Sequence, residues 1–350
     1  MTTWLGLLAL FLLLATPARA DVTLPPGFTT EVYVTGQGFD TTVERGVTGI
    51  PSVGTVGVDA AGTLYMSRTG ARFRSGDVED LWAIYRVPVG GARMTPDTEA
   101  RYVYGPPLPN PQIGAVSARG LVWVTTYDRE RRLGALYKFV DGRPTLFAGG
   151  RPAVGAAPVL RHPEGVAIGP AGDVYVTDRE EGAIVRLDPR GNLVNPRHAT
   201  LLRPRIVTMD EGGTLWVGGD GSAETPFGAG SGEISRVTPD GRAQSVLQGP
   251  LPAAFSQSPG GALFVAQRRT GQVFAVMPDG RRLDFATTRD GSFLRSLAFI
   301  PVTPETRRAG IAGDLLLVLV SRSLWLLNEV VRVSGPFDDW VRQEASRAAP

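Results

Sequence analysis

Short apolar runs alternate with glycine-centred turns along most of the chain, and no stretch sustains the 3.6-residue apolar stripe of a helix until residues 337–342. Each unit reads as an apolar strand, a tight turn, and a second strand rich in β-branched and aromatic residues. The pattern is clearest in residues 162–178, HPEGVAIGPAGDVYVTD. It recurs at 54–68, 112–126, 203–219 and 251–267, and in divergent form at 295–320. The turn glycines are Gly62, Gly120, Gly172, Gly213, Gly261 and Gly313, spaced by 58, 52, 41, 48 and 52 residues. Glycine suits these sites because a tight hairpin needs a positive φ that a Cβ atom disfavours.

Most units continue into a third strand and another turn, as at 182–191, 232–241 and 271–280. About four strands per unit, six times over, predict an all-β, six-bladed β-propeller. A β-sandwich array is the alternative use of such a repeat. The domain is placed at 21–343, with a short tail at 344–350. Residues 31–35 are expected to supply a strand to the last blade, so that N- and C-terminal strands close the ring. The apolar run at 315–320 is broken by Ser321-Arg322-Ser323 and reads as a buried strand.

The first twenty residues change the picture at one end. An apolar run at 5–15 precedes Thr16-Pro17-Ala18-Arg19-Ala20, a small-x-small cleavage pattern. The segment reads as a signal peptide cleaved after Ala20, and the protein is expected to be periplasmic or secreted, with no stable membrane insertion after cleavage. Loss of Arg19 leaves 35 cationic side chains against 34 anionic ones. So even a balance gives no electrostatic case for nucleic acid.

Composition narrows the chemistry. There is no cysteine, which excludes disulfides, thiolate nucleophiles and cysteine-based metal sites. The two histidines, His162 and His198, cannot build a three-histidine zinc site, and the single lysine, Lys138, stands in no phosphate-loop motif. His198 reads as a surface residue.

In a propeller the start of each blade's first strand and the end of its second lie on one face of the axis. Aligning units on the turn glycine brings Gly54, Gln112, Glu164, Arg205, Ala253 and Arg295 to equivalent axial positions. A proline precedes four of them (Pro111, Pro163, Pro204, Pro252). A second ring comes from the strand ends Arg68, Thr126, Asp178, Gly219 with Asp220 beside it, and Gln267. Guanidinium forks match carboxylates, so Gln112, Arg205, Arg295, Asp178 and Arg68 are the candidate ligand-binding residues for a small anionic or sugar-derived molecule. Alternatively, Glu164 pairs with Arg205 or Arg203 and plugs the channel. Glu164 and His162 are the candidate catalytic groups, and a structural hydrogen-bonding role for His162 is the other reading.

Residues 162–178 resemble an NHL-type repeat. Over about 54–280 the strand pattern is similar to the gluconolactonase and senescence-marker-protein superfamily of six-bladed propellers. That resemblance implies a divalent cation such as calcium, held by the glutamate of a Glu-Gly pair, by an asparagine and by an aspartate ending a second strand, and it implies lactone hydrolysis. Glu164 and Asp178 are the matching metal candidates, but the family's Pro-Asn-Gly reads Pro252-Ala253-Ala254. A second resemblance lies at the ends. LPPGFTTEVYV (24–34) and VVRVSGPFDDWV (330–341) are similar to the opening and closing segments of soluble quinoprotein sugar dehydrogenases of the sorbosone type. It implies pyrroloquinoline quinone, with His162 as base and Arg205 and Arg295 on the quinone carboxylates, although the family's His-Asn-Gly-Gly reads His-Pro-Glu-Gly here. Three functions stay open: an axial ligand-binding propeller with hydrolase capability, a quinone-dependent sugar dehydrogenase, or a non-enzymatic protein-interaction scaffold.

Overall fold

Glycine turns and two-sided apolar strands fold as a six-bladed β-propeller in the computed structural model, which describes residues 22–39, 48–68, 81–223, 229–288, 292–320 and 327–347. The leader at 1–20 lies outside the described residues. All six predicted turn glycines adopt positive φ, between 75° and 86°.

Blades 2 to 4 are four-stranded antiparallel sheets read in sequence order: Gln112–Val116 to Arg143–Gly149, Pro163–Ile168 to Leu193–Thr200, and Pro204–Met209 to Ala243–Gly249. Blade 5 has four strands, from Pro252–Gln257 to Arg282–Thr288, and gains Val22–Thr23 at its outer edge. Blade 6 contributes Phe293–Phe299, Leu315–Val320 and Leu327–Ser334 and takes its fourth strand, Thr29–Gly36, from the other end of the chain. The ring therefore closes by backbone hydrogen bonds between the termini, as the strand at 31–35 predicted. Blade 1 keeps three strands, Val53–Val58, Leu64–Arg68 and Tyr85–Val87, because the following strand, Ala92–Met94, pairs parallel to Thr29–Gly36 in blade 6.

The core is not one centre but six layers, each trapped between consecutive blades. Val207 and Val217 of blade 4 meet Tyr175 and Ile184 of blade 3, and Trp216 and Ile234 meet Val265 and Phe274 of blade 5. The other four interfaces repeat the arrangement. A central strand is thus covered on both faces, which is why Leu315–Val320 is apolar at every position and buried at every position.

Within the blades, aromatic residues of second strands face cations of third strands in register. The pairs Trp123 and Lys138, Tyr175 and Arg186, and Trp216 and Arg236 place the cation 4.4, 5.9 and 5.2 Å from the ring. The lone lysine takes the role that arginine plays in two other blades.

Two sequence expectations differ from the structure. The C-terminal helix spans Phe337–Arg347, so residues 344–347 continue a helix rather than a tail. Its Phe337, Trp340 and Val341 pack on Phe264 and Phe285, and that apolar anchorage keeps the helix on the blade 5/6 layer. His198 is also not a surface residue. It sits in the strand Leu193–Thr200, 8% exposed, with its ring tilted against Tyr175 at 5.2 Å.

Candidate functional site

Each of the six first strands carries a β-bulge near its start. The ladder slips between Val53 and Val56, Ile113 and Ala115, Pro163 and Val166, Pro204 and Ile206, Pro252 and Ala254, and Leu294 and Ser296. In five blades the slip contains the predicted axial residue: Gly54, Glu164, Arg205, Ala253 or Arg295. In blade 2 it falls on Gly114, and Gln112 stays paired with Thr125. A bulge frees a residue from the ladder and re-aims its side chain. Proline at 163, 204 and 252 fits beside it, since the first residue of a strand can lack an N–H.

All six predicted axial residues line one cavity of about 490 Å³. The alignment on turn glycines therefore placed the axis correctly. The cavity also takes in Arg268, which that alignment left out.

The charged groups form a network between blades 3 and 4. Arg205 Nε donates to Glu164 Oε2 at 2.7 Å, and Arg205 Nη1 reaches Asp220 Oδ1 at 3.5 Å. Arg179 Nε donates to Asp220 Oδ2 at 3.1 Å and stands 4.0 Å from Glu164 Oε1. Burial pushes the Glu164 carboxyl up, but Arg205 and then His162 outweigh it and hold the group below the usual carboxylate range. Burial likewise opposes the charge on Arg205, and Glu164 and Asp220 more than restore it.

Arg268 and Arg295 sit differently. Burial, and then repulsion from Arg205, pull both below the usual guanidinium value, Arg295 to about 10 and Arg268 well down. Among the described residues, the cavity wall carries three guanidinium groups and one carboxylate.

Backbone bonds between blades fix this geometry. Thr125 Oγ1 donates to the Glu164 carbonyl at 2.8 Å, and Thr177 Oγ1 donates to the Arg205 carbonyl at 2.9 Å while accepting from Gly165 N at 2.8 Å. Each hydroxyl ties one blade's second strand to the next blade's axial residue. Gly165 is required by closeness: a Cβ there would lie 2.8 Å from the Arg205 carbonyl oxygen and 2.9 Å from Val207 N.

The second predicted ring is displaced by one residue. Asp178 is fully buried and turned into the backbone, accepting from Arg161 N at 2.6 Å, His162 N at 3.1 Å and Glu181 N at 3.2 Å. Its carboxylate organises a turn, and backbone N–H groups take up its oxygens. Arg68 is likewise engaged, by Glu99, the Tyr85 hydroxyl at 2.8 Å, the Pro51 carbonyl at 2.8 Å and the Trp82 ring at 4.4 Å. Neither lines the cavity. The residues that reach the axial network come one position later: Arg179, Asp220 and Arg268. In each, the backbone N–H closes on a carbonyl before the first strand, from Arg179 to His162, Asp220 to Arg203 and Arg268 to Leu251. All three stand seven residues after a turn glycine, and that offset is the sequence signal for Arg268.

His162 stands beside this network, not in the cavity wall. Its ring stacks on Tyr127 at 3.9 Å and 5°, and its Nε2 is 3.6 Å from Glu164 Oε1. Burial holds it below the usual imidazole value, against the pull of Glu164.

The residue set offers little to a divalent cation. Glu164 is the one carboxylate in the wall and is already bonded to Arg205, and no group of three or more carboxylate or imidazole ligands gathers among the described residues. A site surrounded by guanidinium groups does not fit a cation.

A family model for the NHL repeat matches residues 160–187. No curated protein matches the sequence. Among solved structures, the pyrroloquinoline-quinone-bound aldose sugar dehydrogenase from Streptomyces coelicolor is 15% identical, with a TM-score of 0.55 over 89% of this chain and 100% of that one. A protein of unknown function from Bacteroides thetaiotaomicron is 10% identical, with a TM-score of 0.53 over 88% and 76%. A gluconolactonase from Xanthomonas campestris is 17% identical, with a TM-score of 0.40 over 63% and 83%. Identity this low speaks to fold alone.

Proposed function

We propose that this propeller binds a small anionic ligand in its axial cavity, and that it does so as an exported protein. The carrying observation is the charge imbalance of the wall, where Arg205, Arg268 and Arg295 face one carboxylate, Glu164. Arg205 is bonded to Glu164; burial and Arg205 lower the proton affinity of Arg268 and Arg295, and Asp220 and Glu164 act the other way on Arg268. An anion in this guanidinium-rich wall would add opposite charge where three guanidinium groups crowd together. The ion pair foreseen as a plug does form, and a cavity remains beside it.

The chain's own residues have distinct tasks in this reading. Arg295 and Arg268 bind the anion, and Gln112 offers a neutral donor and acceptor. Arg205 holds Glu164, and Thr177 holds the Arg205 backbone. Glu164, kept ionised by Arg205, is a weak general base, which argues against hydrolysis led by that residue. Lactone hydrolysis through a bound cation is disfavoured by the same donor set.

One observation favours a second reading, quinone-dependent sugar oxidation. The three arginines suit a tricarboxylate such as pyrroloquinoline quinone, which the similar Streptomyces enzyme binds. That group would supply two-electron redox chemistry, with Arg205, Arg268 and Arg295 on its carboxylates. His162 fits the base role poorly, since its ring is stacked on Tyr127 outside the wall.

Calorimetric titration of the purified protein with simple carboxylates, sugar acids and pyrroloquinoline quinone tests both readings. One-site binding that disappears in Arg295→Gln supports the anion site. Binding of the quinone alone, with dye reduction on adding aldose, supports the second reading. No binding by any of these anions refutes both.

A further inference from the structure

We infer that the ligand of the axial cavity is a one-sided amphiphile, an aromatic or alicyclic carboxylate, and not a polyhydroxylated sugar acid. This inference rests on the anion reading above and specifies the chemistry of its ligand.

The charges of the wall are confined to one level. Glu164, Arg205 and Arg295 occupy the bulged axial position of their strands, and Arg268 follows the antiparallel strand that ends at the same level. Two residues further along the first strands, about 7 Å deeper at strand rise, the wall changes character. The positions there are Val56, Val207, Phe255 and Leu297, while Phe293 and its ladder partner Val320 add apolar lining on the other side of the charged level. Blade 2 has Gly114 at this level, with Val166 of blade 3 packed where its Cβ would stand, 2.4 Å away.

Two hydroxyl groups of the wall already accept backbone N–H bonds. Thr55 Oγ1 accepts from Ile113 N at 2.5 Å, and Ser296 Oγ accepts from Val56 N at 3.2 Å. These bonds bind neighbouring first strands to one another. A sugar acid carries a hydroxyl on nearly every carbon and would leave several without partners against this lining, at a cost for each. A flat apolar body behind one carboxylate meets guanidinium groups at one end and Phe255, Val207 and Leu297 beyond. A molecule with carboxylates on several edges, such as the quinone, matches only the charged level.

Titration of the full-length mature protein with 2-naphthoate, gluconate and 2-naphthylmethanol tests this. The expected order is naphthoate tightest, with gluconate and the neutral alcohol each weaker by about tenfold or more. Phe255→Leu should weaken naphthoate more than it weakens gluconate. Gluconate binding as tightly as naphthoate overturns the amphiphile while leaving the anion site standing. Naphthylmethanol binding as tightly as naphthoate overturns the anion reading itself, and failure of both anions to bind at millimolar concentration overturns both.

Discussion

Arg205 and Glu164 hold the same bulged position in neighbouring blades, and their side chains meet at 2.7 Å, each 14% exposed. A bond between equivalent residues of adjacent blades ties the geometry of the axis to the spacing of the blades. It also sets Arg205 apart from the other two guanidinium groups of the wall, as the one whose bond to the wall carboxylate is direct.

Glu164→Gln separates these roles. Removing one partner of a buried ion pair leaves Arg205 only its longer contact with Asp220, and the expected loss of stability is about 3 kcal/mol or somewhat less. The same change strips a negative charge from the wall, so carboxylate affinity should rise. Urea unfolding and calorimetry on one preparation read both. A variant that is as stable as the parent, or that binds anions more weakly, contradicts this division.

Gly165→Ala should act through the backbone. Its Cβ would press on the Arg205 carbonyl and Val207 N, forcing the first strands of blades 3 and 4 apart. A loss of about 1–3 kcal/mol is expected, with weaker anion binding, although no charge has changed. Denaturant midpoints and titration of the variant check it.

Thr177→Val removes a hydroxyl that holds Arg205 O and Gly165 N. About 1–2 kcal/mol of stability should go, because Gly165 N loses its partner in a buried interface. Thr177→Ser keeps the oxygen and should restore most of both stability and affinity. Failure of serine to rescue points to packing and not to positioning.

Both histidines are held below 6.5, chiefly by burial. Between 6.5 and their lower folded values the unfolded chain binds more protons, so stability falls as pH drops through that window. Glu164, also depressed, adds a further loss only below its unfolded value of 4.5. Thermal unfolding from pH 7.5 to 5 should show the midpoint declining, and His162→Gln should flatten the curve. A midpoint that rises on acidification has the wrong sign.

Much of this was readable from spacing. The turn glycines and the prolines before positions 164, 205 and 253 marked the blades and the axis, because hairpin and strand-start geometry impose those residue types locally. The strand expected at 31–35 does clasp blade 6, within Thr29–Gly36. Arg268 and the inward role of Asp220 were not readable on the same rule, since in blades 3 to 5 the residue after the second strand, and not the strand's last, reaches the axial network. Asp178 looked like a ligand because it ends a strand, yet three backbone N–H groups claim its oxygens. Burial of His198 under Tyr175 depends on packing within its own sheet that a loop-like Pro196-Arg197 context conceals.

The most direct test of the anion site is the unfolding midpoint as a function of ligand concentration, comparing 2-naphthoate with uncharged 2-naphthylmethanol in the parent and in Arg295→Gln. A ligand that binds only the folded state raises the midpoint steadily with its concentration. The expected result is a rise with naphthoate in the parent, little with the alcohol, and little with either in Arg295→Gln. Equal shifts by the two compounds, or an undiminished naphthoate shift in the variant, would contradict an axial site built on guanidinium charge.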